Sequence, residues 1–165
     1  MMWKFLIGIT LVAFTSLCGY LLARKYRQRR QFFQQLQEFN ERFLTEISYY
    51  RRPIREFASK YSYRGEFGLL LEDFFKQADE RSVNDRSVFD LLMYTFLKSE
   101  EKRMIEDYFL MLGKGDSASQ KGYFTSVKNT LAKLQIESEL ACKKYGDLYI
   151  KLGFLCGLLL LILII

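Results

Sequence analysis

The chain has 165 residues, 25 of them Lys or Arg and 19 Asp or Glu, for a net charge of +6, and it contains no histidine. The missing imidazole excludes His-based acid–base catalysis, Ser-His and Cys-His nucleophile pairs and imidazole metal sites. The positive surplus does not point to nucleic acid, because five basic residues crowd into Arg24–Arg30 and residues 31–147 hold 18 basic against 19 acidic side chains.

In chain order, Phe5–Ala23 comes first, nineteen residues without a charge. A spanning helix needs about 20 apolar residues at 1.5 Å rise each, so residues 1–23 are expected to be an N-terminal transmembrane anchor. A cleaved signal peptide is the rival reading, but it wants positive charge before the apolar run and small residues at a cut site. Here the charge comes after, and Thr15 and Leu17 fit a lipoprotein box poorly. The basic run Arg24–Arg30 then marks the cytoplasmic side.

Arg24–Tyr50 continues the first helix. Phe32, Leu36, Phe39, Phe43, Ile47 and Tyr50 follow three- and four-residue steps, the signature of one helical face. Pro53 breaks or kinks it. Short helices are expected over Ile54–Lys60 and Gly68–Ala78, with a turn at Tyr63-Arg64-Gly65. A further helix is expected over Ser87–Leu97. Ser99 is placed to cap the next, with Glu100 and Glu101 in its first turn. That helix carries Met104, Ile105, Tyr108, Phe109 and Leu112 and stops at Gly113-Lys114-Gly115. Asp116 and Ser117 restart the chain, and Ser117 with Gln120 forms a capping-box pattern.

The last helix runs from Ser117 towards the C-terminus. Phe124, Val127, Leu131, Leu134, Ser138, Ala141 and Tyr145 alternate three- and four-residue steps, a heptad seam. It suits packing along another helix, such as the antiparallel Phe32–Tyr50 helix; an ordinary bundle face and a coiled-coil contact with another protein fit it equally. Leu152–Ile165 is fourteen uncharged residues; with Leu148–Ile150, and Lys151 snorkelling to the interface, residues 148–165 read as a second anchor. Gly153 and Gly157 make a G-x-x-x-G step with Gly146 one heptad earlier, and Gly8, Thr15 and Gly19 share a face of the first anchor. Such small faces let membrane helices approach closely, within or between subunits. No strand or hairpin signal occurs. The expected architecture is all-α: a cytoplasmic bundle of about five to six helices, residues 24–147, bracketed by two transmembrane helices with both termini outside.

The three cysteines form no pattern, and no P-loop or dinucleotide fingerprint occurs. No catalytic residue, cofactor or metal is expected. The carboxylates Glu72, Asp73, Asp79, Glu80, Glu100, Glu101, Glu106 and Asp107 are the only material for an enzyme, and they read as a solvated face balanced by neighbouring Lys and Arg. The anchors lack polar residues to line a pore. Tyr49-Tyr50-Arg51-Arg52, close to Arg55, carries the residue types of a binding hot spot. Tyr49, Tyr50, Tyr61, Tyr63, Tyr94 and Tyr123 exceed what so small a core can hold, unless they pack at bundle edges.

Three segments then resemble a known family together: Leu112-Gly113-Lys114-Gly115-Asp116-Ser117-Ala118-Ser119-Gln120, Lys144-Tyr145-Gly146-Asp147-Leu148-Tyr149, and Leu152-Gly153-Phe154-Leu155-Cys156-Gly157. With the first anchor and the length, they resemble the stage III sporulation protein AB family of endospore-forming bacteria, whose pattern commonly has Ser where this chain has Gly115. That family is itself similar to the F-type platform proteins of type II secretion and type IV pilus machines. The resemblance implies a non-enzymatic platform in the channel between mother cell and forespore, in the outer forespore membrane. Its implied partners are a secretion-type ATPase and the ring-forming channel components; self-association stays open. A regulatory subunit of a membrane enzyme, or a generic membrane-anchored adaptor, is the alternative. Leu112, Gly113, Asp116 and Gln120 serve either as a helix-capping corner or as a partner contact.

Overall fold

The computed structural model describes residues 2–49, 54–80, 94–112 and 117–164. Among these residues all regular structure is helical: α1 (Met2–Tyr49), α2 (Ile54–Ser59), α3 (Gly65–Glu80), α4 (Ser99–Leu112), α5 (Ser117–Ala141), a π-helical segment (Cys142–Gly146) and α6 (Asp147–Ile164). The chain divides into two compact units, one of residues 31–136 and one of residues 1–30 with 137–165.

The 31–136 unit is organised by aromatic side chains. Phe32, Phe33, Leu36, Phe39 and Phe43 of α1 are all buried, following from the spacing that puts them on one helical face. They meet Phe57 of α2, Phe67, Leu70, Leu71 and Phe74 of α3, Ile105, Tyr108, Phe109 and Leu112 of α4, and Phe124 and Leu131 of α5. Ring pairs are mostly edge-to-face, as between Phe43 and Phe124 at 5.0 Å and between Tyr108 and Phe124 at 4.9 Å. This arrangement matches positive ring edges to negative faces. Tyr61, Tyr63, Tyr94 and Tyr123 lie half-buried against this core, at the edges of the bundle.

One polar node is sealed inside. The Tyr108 hydroxyl donates to Asn40 Oδ1 at 3.2 Å, and Asn40 Nδ2 donates to the Phe124 carbonyl at 3.2 Å. Both side chains are fully buried, so each satisfies a group whose orphaning would cost about 1–3 kcal/mol. Burial pushes the Tyr108 hydroxyl well above the usual phenol value, and burial also raises Tyr63, Tyr94 and Tyr123. The fold therefore favours the neutral phenols. Their contribution is fully present below about pH 10, the unfolded value, and is lost as pH rises above it, because the unfolded chain ionises first. With no histidine to titrate, the thermal midpoint is expected to stay flat from pH 6 to 8 and to fall above about pH 10. Tyr108→Phe is expected to lower the neutral-pH stability by about 1 kcal/mol, since Asn40 loses its donor, and to make the alkaline fall shallower. Circular dichroism melts of the full chain across pH check both.

Turns and caps use side chains the periodicity does not announce. The Tyr63–Gly65 turn is present: Gly65 has φ +63°, a left-handed conformation that L-residues resist. Gln35 clasps it, donating to the Arg64 carbonyl and accepting from the Arg64 N–H, both at 2.6 Å. The helix begins at Gly65 rather than Gly68, and Gly68 instead allows close approach. A Cβ there would stand 2.6 Å from the Tyr63 carbonyl oxygen. At the start of α4 the reach-back comes from Glu101, which accepts from the Lys98 N–H at 3.0 Å. Ser99 is the first helical residue rather than the cap. Most of the expected Ser87–Leu97 helix lies outside the described residues. Its last four residues form a turn closed by Leu97 N–H to the Tyr94 carbonyl at 3.1 Å. Tyr94 and Phe96 both lie against Phe32, at 6.4 and 5.8 Å, contacts that two residues two apart cannot share from a helix.

The last long helix departs from its expected seam. Phe124, Leu131 and Ser138 are buried and Val127 and Leu134 half-buried, as the heptads require. Continuing the pattern predicts Tyr145 and Leu152 on the same face. Both are exposed, and Cys142, Gly146 and Gly157 are buried, with Gly153 half-buried. The second series is one residue out of step with the first. The π segment Cys142–Gly146 absorbs that residue, as single-turn π-bulges do. Deleting Lys144 would bring Gly146 and Gly153 into the heptad phase of Ser138. The deletion is expected to leave the thermal midpoint unchanged or raised, whereas deleting Leu155, between Gly153 and Gly157, is expected to lower it by several degrees.

Candidate functional site

Three places hold the residues singled out in the sequence. The first is the corner between α4 and α5. Leu112 is 2% exposed and joins the core. Gln120, 9% exposed, donates through its amide nitrogen to the carbonyls of Met111 and Leu112, both at 3.2 Å. Those carbonyls belong to the last turn of α4, which has no intrahelical donor left for them. Gly113 and Asp116 lie outside the described residues. The described half of this motif thus ties one helix end to the next helix. Gln120→Ala is expected to destabilise the chain by about 1–2 kcal/mol, read as a drop of a few degrees in the melting midpoint.

The second is the end of α1. Tyr49 is 79% exposed, while Tyr50, Arg51 and Arg52 lie outside the described residues. Near in sequence, Arg55 is drawn into an open cleft of about 300 Å³ lined by Ala58, Tyr61, Tyr63, Gly68, Glu72 and Phe75 among others. Its guanidinium donates to the Phe75 carbonyl at 3.2 Å. Arg42 stands over the rings of Tyr61 and Tyr63, at 4.6 and 5.9 Å, and pairs with Glu38 at 3.6 Å. Sequence reasoning named Arg55, Tyr61 and Tyr63 singly. It missed the cleft, whose one signal is Gly68, the residue that lets α3 press against the 61–64 turn. Aromatic walls with a charged rim suit a protein contact.

The carboxylates weighed for an enzyme do not converge there. Glu72 pairs with Lys76 at 3.6 Å, Glu101 is engaged at the α4 N-terminus, and the side chains of Asp79 and Glu80 lie outside the described residues. Among the described residues no group of three His, Cys, Asp or Glu is placed to hold a metal ion.

The third place is the helix pair within the other unit. A Cβ on Gly153 would stand 2.7 Å from the Thr15 carbonyl oxygen and 3.1 Å from the Gly19 Cα; one on Gly157 would stand 2.9 Å from the Val12 Cα. Gly8 is closed in by Leu161. Thr15 turns its hydroxyl back to the carbonyls of Leu11 and Val12, both at 3.1 Å. Gly146 differs, since a Cβ there meets only Cys142 Sγ at 3.7 Å, an ordinary contact. Tyr26 stacks on Tyr145 at 5.5 Å and on Tyr149 at 5.9 Å.

Both helices of this pair are long and apolar enough to cross a membrane, and fewer than a fifth of the residues in either apolar stretch are buried. Ile9, Phe14, Leu159, Ile162 and Leu163 are all more than 60% exposed. A continuous apolar surface of this kind is out of place in water, so the all-helical chain fits a membrane protein with two spans. The sequence model of the family described as Stage III sporulation protein AB matches residues 4–165, and the chain belongs to that family. It is similar to the Stage III sporulation protein AB of Bacillus subtilis (strain 168), with 24% identity over 170 aligned positions covering 99% of each chain. No solved structure matches it. The family name assigns a sporulation-related role and is not that of an enzyme family.

Proposed function

We propose that this protein is a non-enzymatic membrane platform of the secretion-like channel between mother cell and forespore. In this reading it couples a secretion-type ATPase in the mother-cell cytoplasm to the channel in the outer forespore membrane. The observation that carries this reading is helical continuity. α1 runs as one helix of 48 residues from an apolar span into the 31–136 unit, and α5, the π segment and α6 lead back without an intervening loop. Helices propagate a displacement along their axes better than flexible linkers do, so a partner acting on the bundle has two stiff routes towards the bilayer. The basic run after the first span orients the bundle to the cytoplasm. The cleft beside Arg55 and the exposed Tyr49 supply surface for the contact, and the family places the protein in sporulation.

The test is titration of the full-length protein in lipid nanodiscs with the purified, ATP-competent secretion-type ATPase of the same organism, followed by light scattering or interferometry. Saturable binding, weakened by Arg55→Glu and by Tyr49→Ala without loss of helix content, is the expected result. Absence of binding with both proteins folded removes the coupling role. It would leave a two-span sporulation membrane protein whose partner is another membrane component.

A further inference from the structure

The helix pair concentrates its charge at one end, with Lys4 alone near the other. Between Arg24 and Arg30 and between Lys143 and Lys151 stand eight basic side chains, against three acidic ones in the same unit, Glu137, Glu139 and Asp147. The contacts of Gly8 with Leu161, of Gly19 with Gly153 and of Tyr26 with Tyr145 fix an antiparallel register. That register sets Arg24, Lys25 and Arg27 level with Lys143 and Lys144. Lys143 is already engaged with Glu139 at 2.8 Å, and Arg29, elsewhere in the basic run, is 8% exposed with a partner of its own. Arg24, Lys25, Lys144 and Lys151 are exposed.

Aromatic residues mark this level as a membrane boundary. Arg27 lies over the Tyr20 ring at 5.4 Å and Lys144 over the Tyr145 ring at 5.2 Å, beside the stacked Tyr26, Tyr145 and Tyr149. Tyrosine and tryptophan collect at the headgroup level of a bilayer. Trp3, 70% exposed, lies twenty-three residues before Tyr26, about 35 Å along a helix. That distance is close to the thickness between the two interfaces. The basic groups therefore sit where lipid phosphates sit, on a surface whose own carboxylates are outnumbered.

We propose that this collar, with Arg24, Lys25, Lys144 and Lys151 as its exposed members, is a binding site for the phosphodiester headgroup of an anionic phospholipid such as phosphatidylglycerol. The Tyr145 ring under Lys144 holds that side chain in place while leaving its donors for phosphate oxygens. The apolar flanks of α1 and α6 receive the acyl chains. The site rests on the two-span reading and stands whether or not an ATPase binds the bundle.

The experiment is native mass spectrometry of the full-length protein released from nanodiscs of equal phosphatidylglycerol and phosphatidylcholine. Wild type is expected to retain the anionic lipid preferentially, and Arg24→Gln/Lys25→Gln/Lys144→Gln to lose that preference. Each charge removed is expected to lower apparent affinity by roughly fivefold. Lys121→Gln/Lys128→Gln, on α5 in the other unit, is expected to change nothing. Should the triple variant fail to reconstitute, Lys25→Gln and Lys144→Gln singly, and the salt dependence of retention on wild type, decide instead. Equal retention of both lipids by wild type, or a preference that survives the triple variant and 0.5 M salt, overturns the site.

Discussion

Phe39→Ala is expected to lower the stability of the full chain by about 3–5 kcal/mol, the range for removing a fully buried phenyl ring. Phe39 has no exposed surface. Its ring meets those of Phe43, Phe57, Tyr63, Phe67 and Tyr108 at centroid distances between 5.5 and 6.4 Å. From α1 it touches α2, α3 and α4, so neighbours on three helices cannot collapse together into the space it leaves. Edge-to-face partners also lose their quadrupole contacts, worth about 0.5–1.5 kcal/mol beyond area. A fall of roughly 10–15 °C in the melting midpoint should result for a chain of this length. Tyr49→Ala, at a 79% exposed aromatic on the same helix, is expected to stay within about 0.5 kcal/mol. Equal effects of the two substitutions would contradict the assignment of α1's buried face.

Gly153→Leu is the second large effect, and it acts in the other unit. With a hypothetical Cβ already 2.7 Å from a backbone oxygen and 3.1 Å from the Gly19 Cα, a leucine has no rotamer that avoids α1. Backbone atoms cannot swing aside as a flexible side chain can. The helices must separate, and with them go the dispersion contacts that hold membrane helices together where no hydrophobic effect operates between them. A loss of about 3 kcal/mol, the upper end for overpacking, is expected in micelles, measured by thermal unfolding. Gly146→Ala, where the new methyl meets only a sulfur at 3.7 Å, is expected to be neutral. If Gly153→Leu proves as mild as Gly146→Ala, the close approach of the two helices is wrong.

Much of the fold was legible because helices report burial through spacing. The stripe Phe32, Leu36, Phe39, Phe43 on α1 and the stripe Ile105, Tyr108, Phe109, Leu112 on α4 needed only periodicity. What stayed hidden depends on partners far apart in sequence. Asn40 looks like any polar residue on a helix until Tyr108 and the Phe124 carbonyl close around it. Gln35 looks like a solvent-facing amide and Gln120 like a capping-box partner of its own helix, yet each satisfies backbone groups across a turn or a corner. Glu101 was expected in the first turn of its helix, but not as the acceptor of the Lys98 N–H. The Tyr145 end of the heptad seam failed for a different reason. Periodicity assumes a constant 3.6 residues per turn, and the π segment Cys142–Gly146 breaks that assumption. The candidate contact surface was the least legible: the tyrosines at its edge could be named, but the cleft exists only because Gly68 lets two segments touch.

That break in period has a consequence for how such a chain can vary. A helix shared between two sets of neighbours normally forbids any change of length, since one residue more or less rotates everything beyond it by about 100°. A π turn at Cys142–Gly146 acts as an expansion joint. It stores one residue of slack, so the segment before it and the segment after it answer to different neighbours and can drift apart in sequence length. Ser138 and Gly153 need not keep a fixed count between them for each to keep its facing, and length variation among relatives has somewhere to go that leaves both packed faces intact.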